Sequence, residues 1–294
     1  MKWRNRAQST NVDDRRSEGG RVGGGLPSIG TLLFLWPLIK RLLRSKIGLA
    51  VLGLGAVAYL GGFINLSPFT GGGTPALDPR QEDEWAAFIK TVHGDLESVW
   101  SDVFAEAGTR YRPPTLVLYR GSTNSGCGPA SARMGPFYCP LDQKVYVDLG
   151  FFDDLAHELG AKGDFARAYV LAHEVGHHIQ NLEGTLDQVE MAKQQAWGEA
   201  GKNRLQVKLE LQADCYAGIW ANHAQRKFDM LEEGDLEEAL VAAASIGDDR
   251  LQKQSQGFAI PHTFTHGTSK ERATWFARGV KTGRIGDCDT FGGN

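Results

Sequence analysis

His173 and His177 stand four residues apart, with Glu174 directly after the first, in the run AYVLAHEVGHHIQ (168–180). On an α-helix, residues four apart share a face, so both imidazoles can reach one metal ion. Glu174 is offset around the helix but borders the same opening, where it can take a proton from a metal-activated water. His178 follows at once, yet about 100° further round the helix it points elsewhere and reads as structural. Two imidazoles do not complete a catalytic zinc site, which needs a third protein ligand and one open position. The run does not continue as HExxHxxGxxH: Glu183 stands at the third-His position and Gly184 one residue beyond. A second element must supply the ligand. LELQADCYAG (209–218) offers Glu210 and Asp214, also four apart, among Leu209, Leu211, Ala213, Cys215, Tyr216 and Ile219. That company makes a mostly buried helix, and buried carboxylates need a metal or a charged partner. Glu210 is read as the third ligand and Asp214 as the acceptor orienting a ligand imidazole, with either carboxylate chemically able to ligate.

The elements that must position these residues follow from hydrophobic periodicity. Trp85, Phe88, Ile89, Val92, Leu96, Val99, Trp100 and Phe104 recur at spacings of three and four, an amphipathic helix. TLVLY (115–119) and KVYVDL (144–149) read as strands, with a Gly/Ser/Pro-rich loop over 121–139 between them. Helical patterns then dominate, over about 164–181, 187–227, 231–254 and 269–281. A small strand layer followed by several helices is an α+β arrangement, mostly helical with a small β-sheet. Tyr146 and Val147 are read as an edge that could pair with an extended peptide.

The chain has 294 residues, 41% apolar and 23% charged, and a net charge of −3. Residues 1–66 carry +7 and residues 67–294 carry −10. A basic stub on an acidic body argues against nucleic acid as a partner. IGLAVLGLGAVAYLGGFINL (47–66) has twenty residues without a formal charge, enough to cross a hydrocarbon core of roughly 30 Å. Lys40, Arg41, Arg44 and Lys46 precede it, and only Arg80 follows within twenty residues. The expectation is a flexible basic cytoplasmic N-terminus with an interfacial segment (1–46), a transmembrane helix (47–66), a Pro/Gly linker (67–80) and a metallopeptidase domain (81–294) exported across the membrane. Four cysteines on the exported side, Cys127, Cys139, Cys215 and Cys288, suggest two disulfides with three possible pairings.

HEVGHH with ELQADCYAG, GPFYCPLDQKVYVDLGFFDDL before them, FTHGTSKERATWF after them and the opening MKWRNRAQSTNVDDRR together resemble the bacterial "putative neutral zinc metallopeptidase" family, through nearly the whole chain. The HExxH…ExxxD layout is more distantly similar to gluzincin peptidases. The resemblance implies a zincin-like domain, Zn²⁺ on His173, His177 and Glu210, Asp214 orienting a ligand, and a bacterial inner-membrane protein with its catalytic domain outside the cytoplasm. His266, where relatives carry a Thr-His-Pro stretch, would stabilise an oxyanion or cap the helix starting at Ser269. The short loop between Cys127 and Cys139 favours that pairing, which leaves Cys215 with Cys288. The function expected is zinc-assisted hydrolysis of a peptide or protein substrate, with Glu174 as base. The rival is a zinc-retaining envelope scaffold without proteolysis, which would not need Glu174.

Overall fold

Asp78 accepts a hydrogen bond from the Arg80 N–H and Pro79 follows it, so the first long helix starts where its free N–H groups are satisfied. The structure is a computed structural model that describes residues 1–18, 78–157 and 160–292. In chain order it contains β1 (Val12–Asp14), α1 (Pro79–Glu106), β2 (Thr115–Tyr119), β3 (Ser122–Ser125), β4 (Gly128–Ser131), β5 (Phe137–Cys139), β6 (Lys144–Asp148), α2 (Phe151–His157), α3 (Asp164–Leu182), α4 (Thr185–Gln195), α5 (Gly198–Phe228), α6 (Asp235–Ser245), α7 (Asp248–Gln256) and α8 (Ser269–Thr282). The architecture is mostly helical with two small sheets.

The larger sheet has the order β1-β2-β6-β5, parallel except for the antiparallel β5–β6 pair, and β3 with β4 forms a separate hairpin. β6 is thus an interior strand, so the edge expected at Tyr146–Val147 is corrected: the free edge on this side of the sheet is β5, Phe137–Cys139. The apolar stripe of α1, from Trp85 to Val103, joins Leu116, Leu118, Val145 and Val147 and the inner faces of α3, α5 and α6 in one core. Two close backbone approaches set the helix layer. A Cβ on Gly218 of α5 would lie 2.2 Å from the Phe276 carbonyl of α8, and one on Gly279 would meet the Cys215 carbonyl at 2.0 Å. Beside this crossing, Cys215 is bonded to Cys288, while Cys127 is bonded to Cys139 at the end of β5.

Residues 1–18, expected to be part of a flexible stub, lie on the body. β1 extends the sheet, Met1 and Trp3 enter the core, and the Trp3 ring meets Phe88 edge-on at 5.4 Å. Arg6 approaches Asp95 at 2.8 Å, and Arg16 approaches Asp83 at 3.1 Å.

The expectation of a transmembrane helix is corrected: no helix among the described residues is long and apolar enough to cross a membrane, and 47–66 lies outside those residues. The described residues also oppose the expected topology. A single crossing at 47–66 would put residues 1–18 and the body on opposite faces of a bilayer, whereas β1 and β2 are paired in one sheet. A single-pass inner-membrane protein with a cytoplasmic N-terminus and an exported catalytic domain therefore does not stand.

Candidate metal centre and active site

The two halves of the site come from α3 and α5, which meet where Gly176 faces Ala213. A Cβ at Gly176 would lie 2.9 Å from the Ala213 carbonyl and 3.0 Å from its Cα. The glycine inside HEVGH thus lets the helices approach until their polar side chains converge. His173 Nε2 lies 3.2 Å and His177 Nε2 3.7 Å from Glu210 Oε2, and the three side chains offer ligand atoms that all lie within 4.8 Å of one another. Bonds of 2.0–2.1 Å at tetrahedral angles place zinc ligands roughly 3.3 Å apart, so the donor set fits that ion in spacing and chemistry.

The remaining atoms of these residues are engaged in ways that fix their orientation. His173 Nδ1 donates to Asp214 Oδ1 at 2.8 Å, and His177 Nδ1 to Gln180 Oε1 at 2.9 Å, so each ring turns its Nε2 to the centre. Gln180 is held in turn by the Leu209 carbonyl and Gln212. Glu210 Oε1 accepts from Gln206 at 2.9 Å, leaving Oε2 toward the imidazoles. Asp214 is therefore separated from Glu210 in role: it is fully buried, receives Arg272 through Nε at 2.8 Å and Nη2 at 2.9 Å, and accepts the Tyr169 hydroxyl. Burial opposes its charge, but the Arg272 guanidinium and then His173 outweigh burial and hold its pKa below the usual carboxylate range.

Glu174 opens into a cleft of about 610 Å³ that His173, His177, Glu210 and His266 also line. Burial pushes its carboxyl up, against the pull of the two histidines and, more weakly, of the Tyr138 backbone N–H on β5. A raised carboxyl suits a group that must take and return a proton near neutrality.

His266 lies on the cleft, half exposed, on a loop gathered by Asp248, whose Oδ2 accepts the backbone N–H groups of Thr265, His266 and Gly267. Asp248 also raises the pKa of the His266 ring, against desolvation. His266 is not a helix cap. Thr268 caps α8 in a reciprocal capping box with Glu271. His178, read as structural, is buried between the Tyr138 hydroxyl and the Arg112 carbonyl.

Arg272, Gln180 and Asp248 were not singled out from the sequence. For Arg272 a signal existed: with Phe276 and Gly279 it occupies the buried face of α8 at spacings of four and three, where a charge requires a partner.

A family model described as "Putative neutral zinc metallopeptidase" matches residues 1–291. The chain belongs to that family. The match includes residues 1–18, in keeping with their place in the sheet. The uncharacterized protein YpfJ of Escherichia coli K12 is 46% identical over 292 residues, 99% of each chain. The uncharacterized protein Rv2575 of Mycobacterium tuberculosis H37Rv is 43% identical over 213 residues, 69% of each chain. No solved structure matches. Membership of this family implies zinc, and the convergent His173, His177 and Glu210 are a possible site for it.

Proposed function

We propose that the protein is a zinc metalloendopeptidase, with the metal held by His173, His177 and Glu210 and with Glu174 as general base. The observation that carries this reading is the convergence of those three side chains at a cleft into which Glu174 also opens. Zinc bound there supplies Lewis-acid polarisation of the scissile carbonyl and a lowered pKa for the attacking water. Glu174 takes the water proton and passes it to the leaving amine. Asp214 and Gln180 keep the ligand imidazoles in the tautomer that presents Nε2. His266, whose raised pKa favours the charged ring, donates to the oxygen that turns negative as the carbonyl becomes tetrahedral. The substrate is an extended segment of peptide or protein lying across the cleft.

The test pairs zinc content with cleavage of an unstructured protein. Glu174→Gln should keep zinc and melting temperature and lose about 10²–10⁴-fold in turnover. Glu210→Ala should lose high-affinity zinc, and His266→Ala should cost on the order of 10²–10³-fold in kcat with zinc retained. Equal cleavage by wild type and Glu174→Gln would end this mechanism. Zinc-loaded wild type that cleaves nothing in broad peptide libraries would assign the scaffold role instead.

A further inference from the structure

The free edge beside the metal centre is β5, and the sequence around it, GPFYCPLD, limits what that edge can bond. In an antiparallel pair the N–H and C=O of alternate residues point toward the partner strand or away from it. Phe137 and Cys139 are opposite Tyr146 and Lys144 of β6. Because Pro140 has no N–H, the Cys139–Lys144 pair must be one that bonds directly, so residue 138 belongs to the outward set, and its neighbours in that set are 136 and 140. Both are prolines, which have no N–H to give. The cleft-facing edge therefore carries carbonyl acceptors and a single N–H, that of Tyr138 beside Glu174.

Strand addition needs donors and acceptors in alternation, and here half of each ladder step is missing. The apolar wall of the cleft is built differently. Phe137, Phe151, Val170, Ile246 and Leu251 line the cleft from β5, α2, α3, the α6–α7 turn and α7. Gly135 at φ +72° brings the loop before β5 so close that a Cβ there would lie 3.3 Å from the Phe151 ring.

We infer that this cleft, read as a peptidase site, selects its substrate by a bulky apolar side chain seated on this wall and not by adding the substrate to the sheet as a strand. The substrate class is unfolded polypeptide exposing Phe, Leu, Ile or Met, its own N–H groups donating to the β5 carbonyls.

A positional-scanning peptide library tests this on the full-length zinc-loaded protein by cleavage, and on its Glu174→Gln variant by binding. Both readouts should concentrate on peptides with Phe, Leu, Ile or Met at one position, at least about tenfold over Asp, Lys or Gly there. Leu251→Asp should move that preference toward Lys and Arg, and Ile246→Lys toward Asp and Glu. Peptides with a thioamide in place of a carbonyl opposite Pro136 or Pro140, away from the cleaved bond, should bind as well as the parents, because the edge offers those carbonyls no donor. A flat side-chain profile, or a tenfold loss on thioamide substitution, would overturn the inference. Apolar-selective binding without cleavage would keep the inference and sink the peptidase reading. Neither binding nor cleavage would sink both.

Discussion

Arg272 carries the consequence of burying a carboxylate behind His173, a proposed metal ligand. Asp214 cannot be moved out of water as an ion without a cation, and Arg272 meets it with two hydrogen bonds from a fully buried position. Arg272→Met keeps most of the volume and strands the acid. Breaking a buried pair on one side costs about 3–5 kcal/mol, and losing the group that orients a ligand imidazole weakens metal binding about 10–100-fold. Arg272→Lys should fall between, because an ammonium restores the charge but not the two-pronged contact. Chelator competition and thermal melts measure both effects; zinc affinity unchanged in Arg272→Met would remove it from the site. The convergence of His173, His177 and Glu210 was legible in the sequence because spacing four is itself geometry. Arg272 was not, because its contact with Asp214 spans 58 residues and no local pattern encodes a partner on another helix.

At the scale of elements, the site depends on how closely helices can lie. Gly176→Ala would push a methyl into the Ala213 backbone between the two ligand-bearing helices. Overpacking of this kind costs about 1–3 kcal/mol, and here it also spreads the ligands. Gly218→Ala meets the α8 backbone more closely but lies away from the proposed metal centre. Denaturation should therefore rank Gly218→Ala as the less stable variant, while zinc titration ranks Gly176→Ala as the weaker binder. The same ranking in both measurements would argue against the separation. The strong helices were legible: the expected 164–181 is Asp164–Leu182, and 269–281 is Ser269–Thr282. The helix expected over 187–227 divides, because Ala196 and Trp197 leave helical geometry between α4 and α5, and Gly198, where α5 begins, takes φ +67°. The one over 231–254 divides at Gly247, where only a hydrogen fits against Ser269. Strands β3, β4 and β5 were hidden in an expected loop because they are short and rich in Gly, Ser and Pro, and the Cys127–Cys139 bond ties them together.

For the whole molecule, the first eighteen residues changed the reading most. Their composition is that of a polar arm, and their attachment rests on scattered apolar side chains and on charges whose partners lie 65 or more residues away. Asp14 illustrates it. Burial works to raise its pKa, but Arg16 and Lys90 overcome that and hold it at about 2. A carboxyl with a depressed folded pKa adds stability that is fully present above its unfolded value, near 4, and is lost as pH falls toward 2. Asp14→Asn should thus lower the melting temperature at pH 6 and converge with wild type as pH approaches 2. A constant difference across that range would mean that its charge does not matter to the fold. Residue 18 and residue 78 leave a body whose two parts already hold each other through a sheet, a tryptophan and several ion pairs. Joined in one chain, those parts stay at high effective concentration. A chain cut between residues 18 and 19 should become a complementation pair, an eighteen-residue key and its lock, whose association follows mass action and no longer chain connectivity.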